Sequence, residues 1–309
     1  MIWPMRGRKF EAGWMAVVRR GACLDLAHVI IAPEKRPEIR LLESFSTAGS
    51  DDDALLRLAQ AKGLKRFRCT TLLGENDYYL AQMEALGVPL EERLQALRWR
   101  LKDAVEFPVE TAAVAATDIP NQAGRQGSVF VAAASSALVG EKMGQFERAK
   151  IRLEAIDIPE MAIRNVAALF EEPNRGLAFL ALCDGDSLLT ITYQGELCLA
   201  RRIEMSGESL AQDDAERRQQ TRERLALELQ RTLDNFDRQY GFISVSRLLV
   251  ATEFDCAGLV AALGENLYIK VEVMDLAQVA DFSGLPELRL VERQAQCLLA
   301  IGAAMRTAA

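Results

Sequence analysis

The chain has one histidine, no closely spaced cysteine pair and no long apolar run, and each shortage removes a class of function. His28, inside the apolar stretch Leu24 to Ile31, is the only imidazole in 309 residues. A histidine-based triad or zinc site would have to be built around that one ring, so it reads as a packed strand residue. The six cysteines, Cys23, Cys69, Cys183, Cys198, Cys256 and Cys297, form no C-x-x-C pair and lie in apolar stretches. They read as small buried hydrophobes, with no metal site expected. No segment approaches the roughly 18 to 20 consecutive apolar residues of a membrane span, and the start lacks the apolar core of a secretion signal. A cytoplasmic protein is expected. Positive charge is also short: a net charge of −7 argues against a broad phosphate-binding face and against nucleic-acid partners. The local exception is Met1 to Phe10, where Trp3 and Phe10 accompany Arg6, Arg8 and Lys9. That composition suits either anionic headgroups or a frayed basic terminus.

Half the residues are apolar and about a quarter are charged, a globular α/β composition whose length fits two lobes. Trp14 to Val18, Cys23 to Ile31 and Ile39 to Ser46 predict a three-stranded meander, followed by a helix capped at Ser50 and a strand from Phe67 to Leu73. The pattern recurs after Arg175. Leu177 to Cys183, Leu188 to Tyr193 and Leu197 to Met205 are again three strands, the last two joined by Gln194-Gly195. A helix from about Gln219 to Tyr240, a strand at Arg247 to Ala251, a helix at Asp255 to Leu263 and a strand at Ile269 to Met274 complete the second copy. The expected division is therefore a first lobe over 1–174, with an inserted subdomain at about 75–127, and a second lobe over 175–309. A terminal helix, 291–305, is expected to pack back toward the first lobe. The insertion reads as a helix from Leu90 to Val105 and strands at Val109 to Thr117 and Ser128 to Ala133; the helix Ser135 to Ala149, a strand Ile151 to Ile158 and a helix Glu160 to Phe170 follow.

Two lobes that each open in an antiparallel meander match the actin-like (ribonuclease H-like) duplicated fold, in which nucleotide sits between the lobes. Three segments sharpen the likeness. They are Trp99-Arg-Leu-Lys-Asp103 followed by Glu106-Phe-Pro-Val-Glu110, the box Ile156-Asp-Ile-Pro-Glu-Met-Ala-Ile-Arg-Asn165, and the closing Ile301-Gly-Ala-Ala-Met-Arg306. In these the chain resembles the MshI family of mannose-sensitive haemagglutinin pilus biogenesis proteins, relatives of PilM and of the cytoplasmic part of GspL. The resemblance implies a scaffold of a type IV pilus machine, peripheral on the inner membrane, that holds the cytoplasmic tail of a bitopic inner-membrane partner. It places that tail on the first lobe beside the insertion, in the region Leu90 to Thr117, where Arg98, Trp99 and Phe107 are of the residue types found at binding hot spots. In the box, Pro159 ends the strand and starts a helix, and Asp157 is expected to help cap it. Arg164 and Asn165 are either structural or lining the cleft.

A nucleotide clamp in such a cleft needs two hairpin turns carrying Asp and Gly, so that backbone N–H groups reach phosphate and a carboxylate orients hydrated Mg²⁺. The first turn, Val18-Arg-Arg-Gly21, has no carboxylate. The second, Cys183-Asp-Gly-Asp-Ser187, offers Asp184, Gly185 and Ser187 as a phosphate turn for ATP with Mg²⁺. The glycine pair expected after the late strand is replaced by Val250-Ala-Thr-Glu-Phe254. The expectation is a degenerate, non-hydrolysing cleft, with an ATPase or sugar kinase as the alternative and an actin-like filament as a third reading.

Overall fold

The computed structural model describes residues 10–47, 50–122, 124, 126–182, 185–211, 214–254 and 257–307. Trp14–Arg20 (β1), Cys23–Ile30 (β2) and Glu38–Ser46 (β3) form the first meander, followed by Asp51–Lys62 (α1) and Arg68–Leu72 (β4). Tyr78–Glu84 (β5), Leu90–Arg100 (α2), Ala113–Ile119 (β6) and Ser128–Ala134 (β7) come next, then Ser136–Arg148 (α3), Leu153–Asp157 (β8) and Pro159–Ala167 (α4). The second half contains Gly176–Ala181 (β9), Ser187–Tyr193 (β10), Glu196–Ile203 (β11), Gly207–Ala211 (α5), Ala215–Gln239 (α6), Val245–Ala251 (β12), Ala257–Asn266 (α7) and Lys270–Val273 (β13). It closes with Val291–Gln296 (α8) and Leu298–Ala304 (α9).

The strand orders are β3-β2-β1-β4-β8 and β11-β10-β9-β12-β13, one topology used twice. In each sheet the meander is antiparallel and the last two strands run parallel to the first. The central strands are apolar on both pleat faces because both faces are covered. Met15, Val17, Leu24 and Leu26 meet α1 and α3 on the outer side of the first sheet. Ala178, Leu180, Leu189 and Ile191 meet α6 and α7 on the outer side of the second. The inner faces, with Ala16, Val18 and Ala27 on one sheet and Leu177, Phe179 and Ala181 on the other, enclose α4 and α9 in a shared core. The turn joining β10 to β11 holds Gln194 at φ 55° and Gly195 at φ 76°, the left-handed pair that a two-residue hairpin needs.

The α4–α9 contact is close because Gly302 has no side chain. A Cβ there would stand 2.1 Å from the Ala162 carbonyl oxygen. Gly302→Val is expected to cost about 3 kcal/mol, the upper end for overpacking, and to lower the urea midpoint. An unchanged midpoint would mean that the two helices do not carry the join between the sheets.

The expected helix Leu90 to Val105 ends at Arg100 and the expected strand Val109 to Thr117 runs over Ala113–Ile119; three further expectations differ from the structure. β5 was not anticipated; it pairs with β7 along its whole length to make the three-stranded sheet β5-β7-β6. The terminal helix is broken at Cys297. There Gln294, fully buried, accepts from Leu276 N–H at 2.7 Å and donates to Leu288 O and Asp275, pinning α8 to that segment while α9 follows α4 and the first sheet. Asp157 does not cap α4: it accepts from the N–H of Ile158 at 3.0 Å and pairs with Arg306 at 2.6 Å, and the N-cap position is Ile158.

Candidate functional site

Among the described residues the inserted sheet pairs with no further strand; β6 approaches β11 of the second lobe and lines a groove. Consecutive residues Ala113, Val114, Ala115, Ala116 and Thr117 line it, so both pleat faces contribute and the groove runs along the strand's backbone. Ala132, Ala133 and Ala134 of β7 continue the floor, and Leu73, Val139, Ile158 and Met161 of the first lobe form the far wall. The cavity is about 250 Å³ and its lining is mostly apolar, with Tyr78, Thr117 and Asp157 as its polar members. A row of alanines leaves room for large side chains from an incoming strand. An edge strand offers main-chain hydrogen bonds to an extended peptide.

Tyr78 also belongs to a buried polar junction of three parts of the molecule. Its hydroxyl donates to Glu160 of α4 at 2.5 Å and accepts from Arg202 of β11, also at 2.5 Å. Arg202 reaches Glu160 at 3.1 Å and Glu75 at 3.5 Å. Glu160 is 2% exposed, so its charge is neutralised almost entirely by these partners. Burial, together with the Glu160 carboxylate, pushes the Tyr78 phenol far above its ordinary range, which keeps it protonated and donating. First lobe, insertion and second lobe are tied here at one edge of the groove. A second tie runs from Gln82 of β5 to the Tyr240 hydroxyl at 2.8 Å.

The two hairpins expected to clamp phosphate are partly described. On the first hairpin, Arg20 folds back to pair with Asp25 at 2.6 Å and 3.2 Å, and Ser44 donates to the same carboxylate at 2.5 Å. Arg293 of α8 donates to Ser44 at 3.0 Å. Asp25, 2% exposed, is thus held by its own sheet. On the second hairpin Asp184 lies outside the described residues. Ser187 is fully buried and donates to the Met205 carbonyl at 2.6 Å, so its hydroxyl is not presented to a phosphate, contrary to the sequence expectation. At Gly185 a Cβ would lie 3.5 Å from the Glu75 carboxylate, an acidic neighbour for any phosphate. After β12, Thr252 is buried and accepts from the Phe254 N–H at 3.1 Å.

Arg98, Trp99 and Phe107 do not line the groove. Trp99 is half exposed on α2, Arg98 is half-buried beside it, and Phe107 packs against the insertion's own core around Leu97 and Val129. Arg164 donates to Gly195 O at 3.1 Å, tying α4 to the β10–β11 hairpin, and Asn165 donates to Gly302 O at 2.9 Å, tying α4 to α9, so both make structural contacts. His28 bonds the Ala12 carbonyl at 2.8 Å and meets Phe67 edge-on, and burial lowers its pKa. Cys23, Cys69, Cys198 and Cys297 are free thiols, the last three buried; Cys183 and Cys256 lie outside the described residues. No helix among the described residues is long and apolar enough to cross a membrane. Sequence reasoning missed Tyr78, Glu160 and Arg202. The short segment Tyr78 to Glu84, which carries the first, offered only a faint strand pattern.

No family model matches the chain, and no curated protein matches it. Among solved structures it is similar to a PilM–PilN type IV pilus biogenesis complex, at 21% identity over 96% of this chain and 98% of that one, with a TM-score of 0.74. It is also similar to a Bacteroides thetaiotaomicron protein of actin-like ATPase fold, at 12% identity over 97% and 98%, with a TM-score of 0.50. These likenesses, with the repeated sheet order, show that the chain has the actin-like fold.

Proposed function

We propose that the chain is a cytoplasmic scaffold of a type IV pilus machine of the mannose-sensitive haemagglutinin kind, peripheral on the inner membrane. It holds the cytoplasmic tail of a bitopic partner as an added strand along β6. The observation that carries this reading is the edge strand β6 above an apolar floor of alanines. The similarity in fold to a PilM–PilN complex supports it. Synthetic tails of the pilus machine's inner-membrane proteins should bind the chain in calorimetry with one site. If none of them binds, the scaffold reading fails.

The proposed scaffold does not hydrolyse ATP. Arg20 is committed to Asp25, Ser187 to Met205, and Glu75, paired with Arg202, stands over Gly185, so a triphosphate would have to break the Arg20 ion pair and approach a second carboxylate. Titration with ATP and Mg²⁺ is expected to give no saturable heat. Micromolar binding that disappears in Asp184→Ala would return the ATPase or kinase reading.

A further inference from the structure

We propose that the base of the second lobe is a docking site for an arginine side chain on a partner protein's peptide segment. The site shares no residue with the groove and is independent of it. A cavity of about 380 Å³ opens between the last turns of α6, the start of β12 and the segment that leads from α7 into β13. Its floor is apolar. Leu233, Val245 and Ile269 are partly buried against the second lobe's core and turn the rest of their surface to the cavity. The rim is acidic and aromatic. Asp234 and Asp237 line it from α6 as exposed residues, and Tyr268 lines it from the other segment with 94% of its surface bare. A tyrosine that packs on nothing of its own chain has a free ring face to offer.

Every charge on this lining is negative. α6 ends at Gln239 and α7 at Asn266, and each leads into one of two parallel neighbouring strands, so both helices bring their carbonyl ends to the cavity. Such an end acts as about half a negative charge and disfavours acids. Asp234 and Asp237 nonetheless occupy the last two turns of α6, and the last turn of α7 carries Glu265 and no base. The bases nearby are engaged elsewhere. Arg231 faces Glu228 at 3.8 Å, Lys270 faces Glu272 at 2.9 Å, and Arg238 donates to the Asp234 carbonyl and to Asn235. The complement of this lining is a cation with an aliphatic stem and a flat head. The stem covers the apolar floor, and a guanidinium stacks on the Tyr268 ring while its edges reach the carboxylates. The cavity exceeds one side chain, so an adjacent apolar residue of the same segment fills the remainder.

The test is fluorine NMR of the full chain carrying 3-fluorotyrosine at its five tyrosines, titrated with capped Leu-Arg-Leu and Leu-Glu-Leu peptides. The Tyr268 signal, assigned with Tyr268→Phe, is expected to move saturably with the arginine peptide alone, and less at high salt. The double variant Asp234→Asn, Asp237→Asn should bind at least roughly fivefold more weakly. Its urea midpoint should not fall, because the change removes acids from a helix carbonyl end. Equal shifts with both peptides, unchanged affinity in the double variant, or a lower midpoint in it would overturn the site. Agmatine binding as tightly as the arginine peptide would overturn the peptide assignment. Tyr78 marks the groove, so a shift of its signal while that of Tyr268 stays still would place the peptide there and overturn the proposal as well. The titration contains no pilus tail, so its failure and that of the tail reading are distinguishable.

Discussion

Arg202→Met is expected to destabilise the protein by about 3 to 5 kcal/mol, because it strands the Glu160 carboxylate inside the join between lobes and insertion. Glu160 is 2% exposed and has only Arg202 as a cationic partner among the described contacts. Once Arg202 is gone, the Tyr78 hydroxyl alone remains on it. Glu75, the other acid on Arg202, is half exposed and can turn to solvent, so its release costs little. Tyr78→Phe removes the hydroxyl that donates to Glu160 and accepts from Arg202 but leaves their ion pair in place, and should cost less, about 1.5 to 3 kcal/mol. The double variant Glu160→Leu, Arg202→Met should recover most of the loss, because a buried ion pair replaced by packed apolar groups is commonly near neutral. Urea unfolding of the four proteins checks the order. If Arg202→Met is no worse than Tyr78→Phe, the carboxylate is not held as described. The site of damage is also specific: limited proteolysis should quicken in the insertion, where Tyr78 ties β5 to the second lobe.

The sequence made the two meanders legible because their strands are segments of six to nine residues rich in apolar side chains, several bounded by Gly, Pro or paired arginines. Nothing in tertiary structure competes with such a signal. β5 was not legible on the same terms. Its residues Tyr78 to Glu84 are half exposed, their pattern is faint, and its pairing with β7 spans some fifty residues. Glu160 follows Pro159 in a first helical turn, where an acid is ordinary for the helix dipole. Its partners lie 82 and 42 positions away, a separation no local pattern encodes. The hot-spot expectation at Arg98, Trp99 and Phe107 rested on residue type, whereas the groove is made of the least conspicuous residue in the chain. Alanine in β6 and β7 reads as a bland strand; only the fold sets that strand's edge opposite Leu73 and Met161. The missing carboxylate of the first turn was legible, but the Arg20–Asp25 pair beside that turn needed the β1–β2 register, which sets Val18 opposite Asp25.

Ala115→Trp should abolish tail binding while leaving the fold unchanged. Ala115 is exposed and lines the groove from the edge strand, so an indole there occupies the space a partner's large side chain would take without entering any core. A docked strand that loses one anchoring side chain and part of its backbone pairing should bind at least roughly a hundredfold more weakly, about 2.7 kcal/mol. Ala115→Ser, which adds one oxygen, should bind nearly as the parent does. Trp99→Ala provides the opposing test. Trp99 stands half exposed on α2 and does not line the groove, so its removal should leave tail affinity within about threefold, under 1 kcal/mol. If the titrations come out reversed, with Trp99→Ala losing the tail and Ala115→Trp keeping it, the partner sits on the helical face of the insertion. The edge of β6 would then have no part in recognition.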